Sequence, residues 1–403
     1  MRYFLVIGFL IGLQFSSFAQ YKNDNVLYKT VYLEDLCQAL QQNENFILLD
    51  VRSKGEYEDT SQYSNLNIGH FKNAINININ ELPARINELA AYKQTPVFVY
   101  CSHSQRSRRV SKMLADSGYA KVFNINGGVS SWQLMKNNLN PCPVAVLETK
   151  LAYSIESPQV LYDPSKDYFI IDIRSDSVYN GTTKDERKKA YGKFEGVTHI
   201  PFSQFSQVVP TISTGKNILL IDDYGNESPK AAQMLVDKGY KNVSILFNGM
   251  DAFVQYIPAR DEYLNLHWST PVAYHLINGR EFDDMMRRQR ITTVIDVRSK
   301  SEFNNQSKNY WQNVGNIVRA INIPVDKLDS NSLKFVYKYP DVIIYSYSTN
   351  DEVFEAARKL NEMGYISIHV LLGGISNLRW RAANYKDLDG WKKYVENVPA
   401  ENQ

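Results

Sequence analysis

Metal-binding patterns and an excess of charge are both missing from this chain of 403 residues. Its six histidines form no His-Glu-x-x-His run and its three cysteines form no Cys-x-x-Cys pair, so the usual spacings of zinc sites are absent. Lysine and arginine number 45 against 43 acidic residues, a net charge of +2, whereas nucleic-acid-binding proteins usually carry a strongly basic face. We therefore expect no metal, no other cofactor and no nucleic-acid partner.

Long apolar runs are also lacking, except at the N-terminus. A helix that spans a bilayer needs about 20 consecutive apolar residues. Residues 1–19 read MRYFLVIGFLIGLQFSSFA, with one early arginine, a short apolar stretch and small residues before the end. This pattern predicts a secretory signal peptide that is cleaved after Ala19, with an uncleaved anchor as the alternative. We expect an exported protein, periplasmic or secreted, with no membrane span after cleavage.

What the chain does contain is one set of motifs that occurs three times. The segments FILLDVRSKGEYE (46–58), YFIIDIRSDSVYN (168–180) and TTVIDVRSKSEFN (292–304) match one another. Each is followed by a second matching line, then by an apolar strand with a loop and helix, and then by a glycine turn. The period of about 120 residues is that of a domain rather than of a solenoid repeat.

Within each copy, short β-rich runs alternate with helical segments such as RRVSKMLADSGY, which favours a parallel sheet with helices on both faces. The Asp-Val-Arg strand end, the line GHFKNAININ, a cysteine loop and the Gly-Gly turn before a tryptophan follow one another in order. In this order and spacing they resemble the rhodanese homology domain. The resemblance implies an α/β protein of three tandem rhodanese-like domains, each a five-stranded parallel sheet flanked by helices, at residues 27–140, 148–260 and 270–393.

Features that all three copies share are best explained as architecture. An aspartate and an arginine two residues apart follow the apolar strand of the first motif in every copy, and we interpret them as capping and ion-pairing residues. The glycines of the closing turn indicate a backbone with positive φ or a close approach of two segments. These shared residues are Asp50 and Arg52, Asp172 and Arg174, Asp296 and Arg298, Gly127 and Gly128, Gly249, and Gly373 and Gly374.

The cysteine loop differs between the copies. Aligned on the preceding strand, Cys101 of the first copy corresponds to Asp222 and Ser346, and Arg106 corresponds to Glu227 and Asp351. A carboxylate cannot carry a transferable sulfur, and an unactivated hydroxyl is a poor substitute for a thiolate. An acidic loop would also repel an anionic donor, so we expect only the first domain to be active.

Cys101 lies between the apolar strand VFVY and a helix that begins near RSRRV. The free amides and the positive dipole end of a helix favour an anion there, so a thiol at this place should ionise readily. The resemblance implies that Cys101 forms a persulfide, that Arg106 contacts the donor, and that the backbone of residues 102–107 surrounds the sulfur. The possible supporting residues are Ser102, His103, Ser104, Gln105 and Ser107. Many members of the family have glycine where this chain has Ser104, and a positive φ there would strain a serine.

The implied activity is a sulfurtransferase that takes sulfur from a small anionic donor such as thiosulfate and gives it to a thiol or cyanide. Domains 2 and 3 would then serve as scaffold, as a docking surface for a protein partner, or as a surface that shapes access to Cys101. Two alternatives stay open, a non-enzymatic binding or scaffold protein and a thiol redox or persulfide carrier of the cell envelope. Cys37 and Cys142 are either a disulfide or ordinary core and linker residues.

Overall fold

The protein is described by a computed structural model over residues 27–43, 45–137, 139–163, 165–256, 267–288, 292–338 and 341–399. The predicted signal peptide, residues 1–19, lies outside these ranges. Within them, no helix is both long enough and apolar enough to cross a bilayer.

Domain 1 contains a parallel sheet of five strands in the order β1-β6-β5-β2-β4. Its elements are β1 (Lys29–Val31), α1 (Leu33–Gln41), β2 (Ile47–Asp50), α2 (Lys54–Tyr57), β3 (His70–Phe71), β4 (Ile75–Asn76), α3 (Leu82–Arg85), β5 (Val97–Tyr100), α4 (Gln105–Asp116), β6 (Val122–Ile125), α5 (Gly128–Met135) and β7 (Leu147–Glu148).

Domain 2 has an equivalent sheet, in the order β8-β13-β12-β9-β11. Its elements are β8 (Ser154–Glu156), β9 (Phe169–Asp172), α6 (Asp176–Tyr179), α7 (Glu186–Ala190), β10 (Lys193–Phe194), β11 (Thr198–His199), α8 (Phe202–Val208), β12 (Ile218–Ile221), α9 (Ser228–Asp237), β13 (Val243–Leu246), α10 (Gly249–Tyr256) and β14 (Trp268–Ser269).

Domain 3 repeats the order as β15-β20-β19-β16-β18. Its elements are β15 (His275–Ile277), α11 (Gly279–Arg287), β16 (Thr293–Asp296), α12 (Lys300–Phe303), β17 (Asn316–Ile317), β18 (Ile321–Asn322), β19 (Val342–Tyr345), α13 (Asp351–Glu362), β20 (Ile368–Leu371), α14 (Gly374–Asn384) and β21 (Val395–Glu396). The predicted fold, three α/β domains each with a five-stranded parallel sheet flanked by helices, is therefore confirmed.

The central strands explain why each sheet is covered on both faces. All four residues of β5, β12 and β19 are buried, and their sequences VFVY, ILLI and VIIY are continuous apolar runs. Such runs belong to parallel strands with helices on either side. The carboxyl ends of these strands point to the loops that precede α4, α9 and α13, where ligands bind in open α/β sheets.

A short antiparallel ribbon ends each domain. The chain that leaves the domain pairs with a strand of the same domain, as β7 with β3, β14 with β10 and β21 with β17. Each unit therefore includes part of the segment that follows its last helix.

The shared aspartate and arginine form a buried ion pair in every domain, as the sequence comparison predicts. In domain 1, Arg52 Nη2 lies 2.7 Å from Asp50 Oδ2, and both side chains are 0% exposed. The same nitrogen donates to the carbonyl oxygen of Gly69 at 2.8 Å. The pair ties the end of β2 to the neighbouring segment, which is a structural role.

Of the two alternatives for the remaining cysteines, the structure contains the disulfide. Cys37 of α1 is bonded to Cys142, with their Cα atoms 5.5 Å apart and a separation of 105 positions in sequence. Cys101 is the free cysteine of the chain and is buried.

Candidate active site

Cys101 directly follows β5 and faces the loop that leads into α4. Its side chain is only 1% exposed. The backbone N–H of Ser104 donates to Cys101 Sγ at 3.1 Å, and Ser107 Oγ lies 3.6 Å from the sulfur. We call residues 102–107 the cradle, because they surround this sulfur from the strand end to the first turn of α4. An amide that points at the sulfur favours a negative charge on it.

Ser104 has a left-handed backbone, with φ of +80°. This is the conformation that strains a serine at a place where many rhodanese-like domains have glycine. Its side chain offsets part of that strain, because Ser104 Oγ accepts a hydrogen bond from the backbone N–H of Gly127. Domain 2 has Gly225 at the equivalent place, with φ of +75°. In domain 3 the equivalent Thr349 accepts the same bond from Gly373. Ser104 thus combines the positive φ of Gly225 in domain 2 with the side-chain hydrogen bond that Thr349 accepts in domain 3.

Gly128 allows the N-terminus of α5 to approach the cradle. A Cβ atom at Gly128 would lie 2.2 Å from the carbonyl oxygen of Cys101, which is far below a van der Waals contact. That oxygen accepts a hydrogen bond from the N–H of Val129 at 3.0 Å. Equivalent close approaches occur at Gly249 and Gly374, so the predicted backbone role of these glycines is confirmed.

Arg106 projects from the first turn of α4 and is held by Glu56 of α2. Its Nη1 and Nη2 donate to the two carboxylate oxygens of Glu56 at 2.7 Å each, and Nη2 also donates to Ser102 Oγ at 2.8 Å. Burial opposes ionisation of Glu56, but hydrogen bonds from Arg106 and Ser53 outweigh it and lower the pKa of Glu56 to about 2. Sequence reasoning missed this partner, because Glu56 is 50 residues away and belongs to the motif that all copies share in outline.

The other predicted site residues separate into buried and exposed ones. Ser102 and Ser107 are buried, and their hydroxyls bond to neighbours of the sulfur. His103 and Gln105 are exposed, and the ring of His103 lies 6.4 Å from that of Trp380 in domain 3. The structure therefore brings the two serines close to Cys101 and leaves the other two side chains on the outer face of the cradle.

Asn124 is a buried polar residue at the site that sequence reasoning also missed. It is 0% exposed on β6, and its Oδ1 accepts a hydrogen bond from Ser107 Oγ at 2.6 Å. The register of the sheets places Ile245 and Val370 at the same position in the other domains. A comparison of VFNI with VSIL and IHVL would have found it, since only the copy with a cysteine has a carboxamide there.

The corresponding loop of domain 2 holds a carboxylate where domain 1 holds sulfur. Asp222 is 2% exposed, and its oxygens accept hydrogen bonds from the N–H groups of Gly225, Glu227 and Ser228 at 2.7, 2.7 and 3.0 Å. Burial raises the pKa of Asp222, while the three amides act in the opposite direction. Although the loop is acidic in sequence, the Asp222 carboxylate is therefore buried in it and not solvated. Among the described residues, no three His, Cys, Asp or Glu side chains cluster as metal ligands.

In the loop of domain 3, the serine at the position of Cys101 is hydrogen-bonded to a glutamate. Ser346 Oγ donates to Glu352 Oε2 at 2.9 Å and accepts from Asn350 Nδ2 at 3.1 Å. Asp351 follows directly and starts α13. No cysteine and no arginine lie at the two positions that are predicted to carry the chemistry in domain 1.

Domain 3 contacts domain 1 beside the cradle, next to Gly127, through Ala383 and Asn384, and we call this contact the wall. Asn126 Nδ2 donates to the carbonyl oxygen of Ala383 at 2.8 Å, and this bond is buried. Arg108 Nη2 donates to Asn126 Oδ1 at 2.8 Å and to Asn384 Oδ1 at 3.0 Å. Arg108 is thus a bridging residue between two domains, and not a solvated surface charge.

Comparison with known proteins identifies the family to which each of the three domains belongs. The family model for the rhodanese-like domain matches the chain three times, at residues 33–135, 157–256 and 279–380.

Three curated proteins are similar to parts of the chain. A tRNA uridine(34) hydroxylase of Chlamydia muridarum is 30% identical over 164 residues, 39% of this chain and 47% of that protein. An uncharacterised protein of Bacillus subtilis is 35% identical over 85 residues, 21% of this chain and 59% of that protein. A sulfurtransferase of Allochromatium vinosum is 28% identical over 99 residues, 25% of this chain and 82% of that protein. The chain thus spans about half of the length of the first two relatives.

Proposed function

Since the chain belongs to the rhodanese-like domain family, we propose that it is an exported sulfurtransferase in which only domain 1 is catalytic. Cys101 carries the sulfur as a persulfide. The donor is a small sulfane-sulfur anion such as thiosulfate, and the acceptor is a thiol or cyanide.

One observation carries the proposal, namely that the loop is an anion cradle. In domain 2 three backbone N–H groups of this loop bind the carboxylate of Asp222. In domain 1 the same loop surrounds Cys101 Sγ, with the N–H of Ser104 already donating to it. Because the loop binds a built-in anion in one copy, it suits a thiolate or a persulfide anion in the other.

The reaction has two displacement steps. In the first, the Cys101 thiolate attacks the outer sulfur of thiosulfate, a new S–S bond forms, and sulfite leaves with the electron pair of the broken S–S bond. In the second, an acceptor thiolate or cyanide attacks the outer sulfur of the persulfide, and the electron pair returns to Cys101 as thiolate. The net change is the transfer of one neutral sulfur atom, so no external oxidant or reductant is needed.

Arg106 and Glu56 act together in this proposal. The side chain of Arg106 is 30% exposed and that of Glu56 only 6%, so the carboxylate fixes the guanidinium from the inner side. The open side of the guanidinium is then available to the oxygen atoms of the donor. An orientation that is fixed before the donor arrives lowers the entropic cost of binding it.

Export is proposed from two features. The N-terminal sequence has the pattern of a signal peptide, and the Cys37–Cys142 disulfide suits an oxidising compartment such as the periplasm or the exterior. Domains 2 and 3 are then scaffold, and domain 3 in addition shapes access to Cys101 through the wall at Asn126. A protein partner that docks on these two domains remains part of the proposal.

A second candidate function is favoured by the 1% exposure of Cys101. A buried sulfur suits a persulfide carrier, whose cradle opens when a protein partner binds. The tRNA hydroxylation named for one relative is not proposed, since that match covers 39% of this chain and the net charge of +2 lends no support to a tRNA substrate.

The test is incubation of the mature protein with thiosulfate, followed by intact mass measurement beside Cys101→Ser. We expect the wild type to gain the mass of one sulfur atom, to lose it again to cyanide or dithiothreitol, and the variant to gain nothing. A wild type without the adduct, whose Cys101 alkylates no faster than an ordinary thiol, would sink the sulfurtransferase proposal. An adduct that forms from a protein persulfide but not from thiosulfate would support the carrier.

A further inference from the structure

Asn124 is a buried polar residue that, like the cysteine, occurs in domain 1 and not at the equivalent places of domains 2 and 3. A carboxamide inside a sheet needs hydrogen-bond partners, and an apolar side chain at that place avoids the need. Domains 2 and 3 have Ile245 and Val370 there, opposite the strands that directly precede Asp222 and Ser346. The fold of the domain therefore does not require Asn124, and its burial at 0% exposure calls for a reason in the chemistry of domain 1.

The contacts of Asn124 lead to the sulfur through one hydroxyl. Ser107 Oγ lies 2.6 Å from Asn124 Oδ1 and 3.6 Å from Cys101 Sγ, and the carbonyl oxygen of Ser104 is 3.1 Å away. On the other side of the amide, Asn124 Nδ2 is buried without a hydrogen-bond partner. The three residues form a chain from Asn124 through Ser107 to Cys101, which we call the relay.

The relay has two arrangements that differ in what the sulfur receives. As the structure has it, the Ser107 hydroxyl donates its proton to Asn124 Oδ1, so its lone pair faces Cys101 Sγ and can accept a neutral S–H. Oxygen and nitrogen of a carboxamide exchange places when the group turns by half a rotation. Asn124 Nδ2 would then donate to Ser107 Oγ, and the hydroxyl proton would point at Cys101 Sγ. That arrangement stabilises an anionic sulfur.

We propose that Asn124 is a positioning residue that acts through Ser107 and turns the relay toward the sulfur when Cys101 is a thiolate or a persulfide. The inference rests on the proposed function. It gives the sulfur a second hydrogen-bond donor, the Ser107 hydroxyl, beside the backbone N–H of Ser104. The free Nδ2 of Asn124 is the group that the second arrangement uses. The Cys101 thiol loses its proton when it ionises, whereas Ser107 and Asn124 keep theirs and only the direction of their hydrogen bonds changes.

The experiment is the pH–rate profile for alkylation of Cys101 by iodoacetamide in the full chain. Cys101 is the free thiol, since Cys37 and Cys142 are joined, so the signal has one source. We expect Asn124→Val to raise the midpoint of the profile by about one pH unit, the effect of losing one hydrogen bond to a charged group. Ser107→Ala, which leaves Asn124 in place, should raise it by a similar amount and serves if Asn124→Val does not fold.

Two controls separate the relay from a general effect of burial. Ser111 is a buried residue one turn further along α4 whose Oγ has no hydrogen-bond partner, and the other domains have Ala232 and Ala356 there. Ser111→Ala should leave the midpoint in place. In a Ser107→Ala background, Asn124→Val should add no further shift, because the link between them is already gone. Arg106 and Glu56, the charged pair at the cradle, are unchanged in all of these variants.

Three results would overturn the relay: an unmoved midpoint in Asn124→Val, an equal shift in Ser111→Ala, or a full additional shift in the Ser107→Ala background. The alkylation profile does not depend on sulfur transfer. A wild type that takes no sulfur from any donor would therefore overturn the proposed function, and an unmoved midpoint in a protein that does take sulfur would overturn the relay alone.

Discussion

The loops that follow β5 and β12 have nearly the same backbone and opposite contents. Both begin at the end of a buried strand, both turn through a left-handed residue three positions later, and both lie against a glycine that no side chain could replace. Domain 1 has a free thiol at the centre, and domain 2 has a carboxylate with three amide donors. A loop that binds an anion can thus be kept by a domain without the cysteine, provided that the domain supplies the anion from its own chain.

The largest effect is expected from exchanging the two central residues. Cys101→Asp should abolish sulfur transfer to the level of the blank, because the carboxylate has no sulfur to give and takes up the amides of the cradle. Asp222→Cys, made in a Cys101→Ser background, should also stay inactive, since Glu227 and Val178 stand where domain 1 has Arg106 and Glu56. The measurement is thiocyanate formation from thiosulfate and cyanide.

A sulfur adduct on Asp222→Cys would contradict this expectation and would show that the backbone of the loop suffices. The added control is Ser346→Cys in domain 3, in which Glu352 already occupies the vicinity of the new thiol.

The next effect concerns the ion pair that domain 2 does not have. The pKa of Glu56 falls from its ordinary 4.5 to about 2 in the folded protein, so the pair contributes stability that is complete above pH 4.5 and lost as the pH falls toward 2. Glu56→Gln should lower the local stability of domain 1 by about 3 kcal/mol at pH 7 and should flatten its decline in acid. Hydrogen exchange of the α4 amides at several pH values measures both.

Glu302→Gln is the matched variant in domain 3. Glu302 makes the same capping bonds to Ser299, which a glutamine oxygen can also accept. Asp351 stands at the position of Arg106, so only the favourable interaction of the charge with the helix N-terminus is lost there, at about 0.3–1 kcal/mol. Equal losses in the two variants would mean that Glu56 acts as a cap and not through the ion pair.

A moderate effect should follow from breaking the wall that domain 3 builds on domain 1. Asn384→Ala removes the acceptor that Arg108 Nη2 uses at 3.0 Å, so the cradle is held less firmly. We expect sulfur transfer to fall about three- to tenfold, the value of one ordinary hydrogen bond. Lys386→Ala, which removes an exposed ion pair with Asp35, should change the rate little. A rate that falls equally in both variants would argue against a specific role of the Arg108 contact.

The smallest effect is expected where domain 1 already resembles domain 2. Ser104→Gly relieves the strain of a side chain at φ of +80°, which should stabilise the protein by about 1 kcal/mol. The same change leaves the buried N–H of Gly127 without its acceptor, which should cost about 1–3 kcal/mol. Urea unfolding should therefore show a net loss of no more than about 2 kcal/mol. Sulfur transfer should persist, because the amide of Ser104 and not its side chain faces the sulfur. Loss of activity in a folded variant would assign the hydroxyl a direct role.

The fold followed from the sequence because its signals are local and repeated. Continuous apolar strands such as VFVY and the three Asp-x-Arg motifs each predict a structure within a few residues, and the repetition checks one copy against another. The position of Cys101 follows from the same local rules, whereas the possibility of a positive φ at Ser104 came from the glycine that many members of the family have there. Contacts between distant segments do not, and Glu56 is 50 residues from Arg106. Asn124 was within reach of the comparison between copies, since the signal lies in the strand itself.

The bond between Asn126 and Ala383 joins residues that are 257 positions apart, and this has a consequence for the order of events during synthesis. Domains generally fold as units, the N-terminal one first, so domain 1 can assemble its sheet while domain 3 is still being made. The wall beside the cradle arrives only afterwards. The domain that is translated first is therefore completed by one that is translated later, and we expect its thiol to reach its final environment only in the full-length chain.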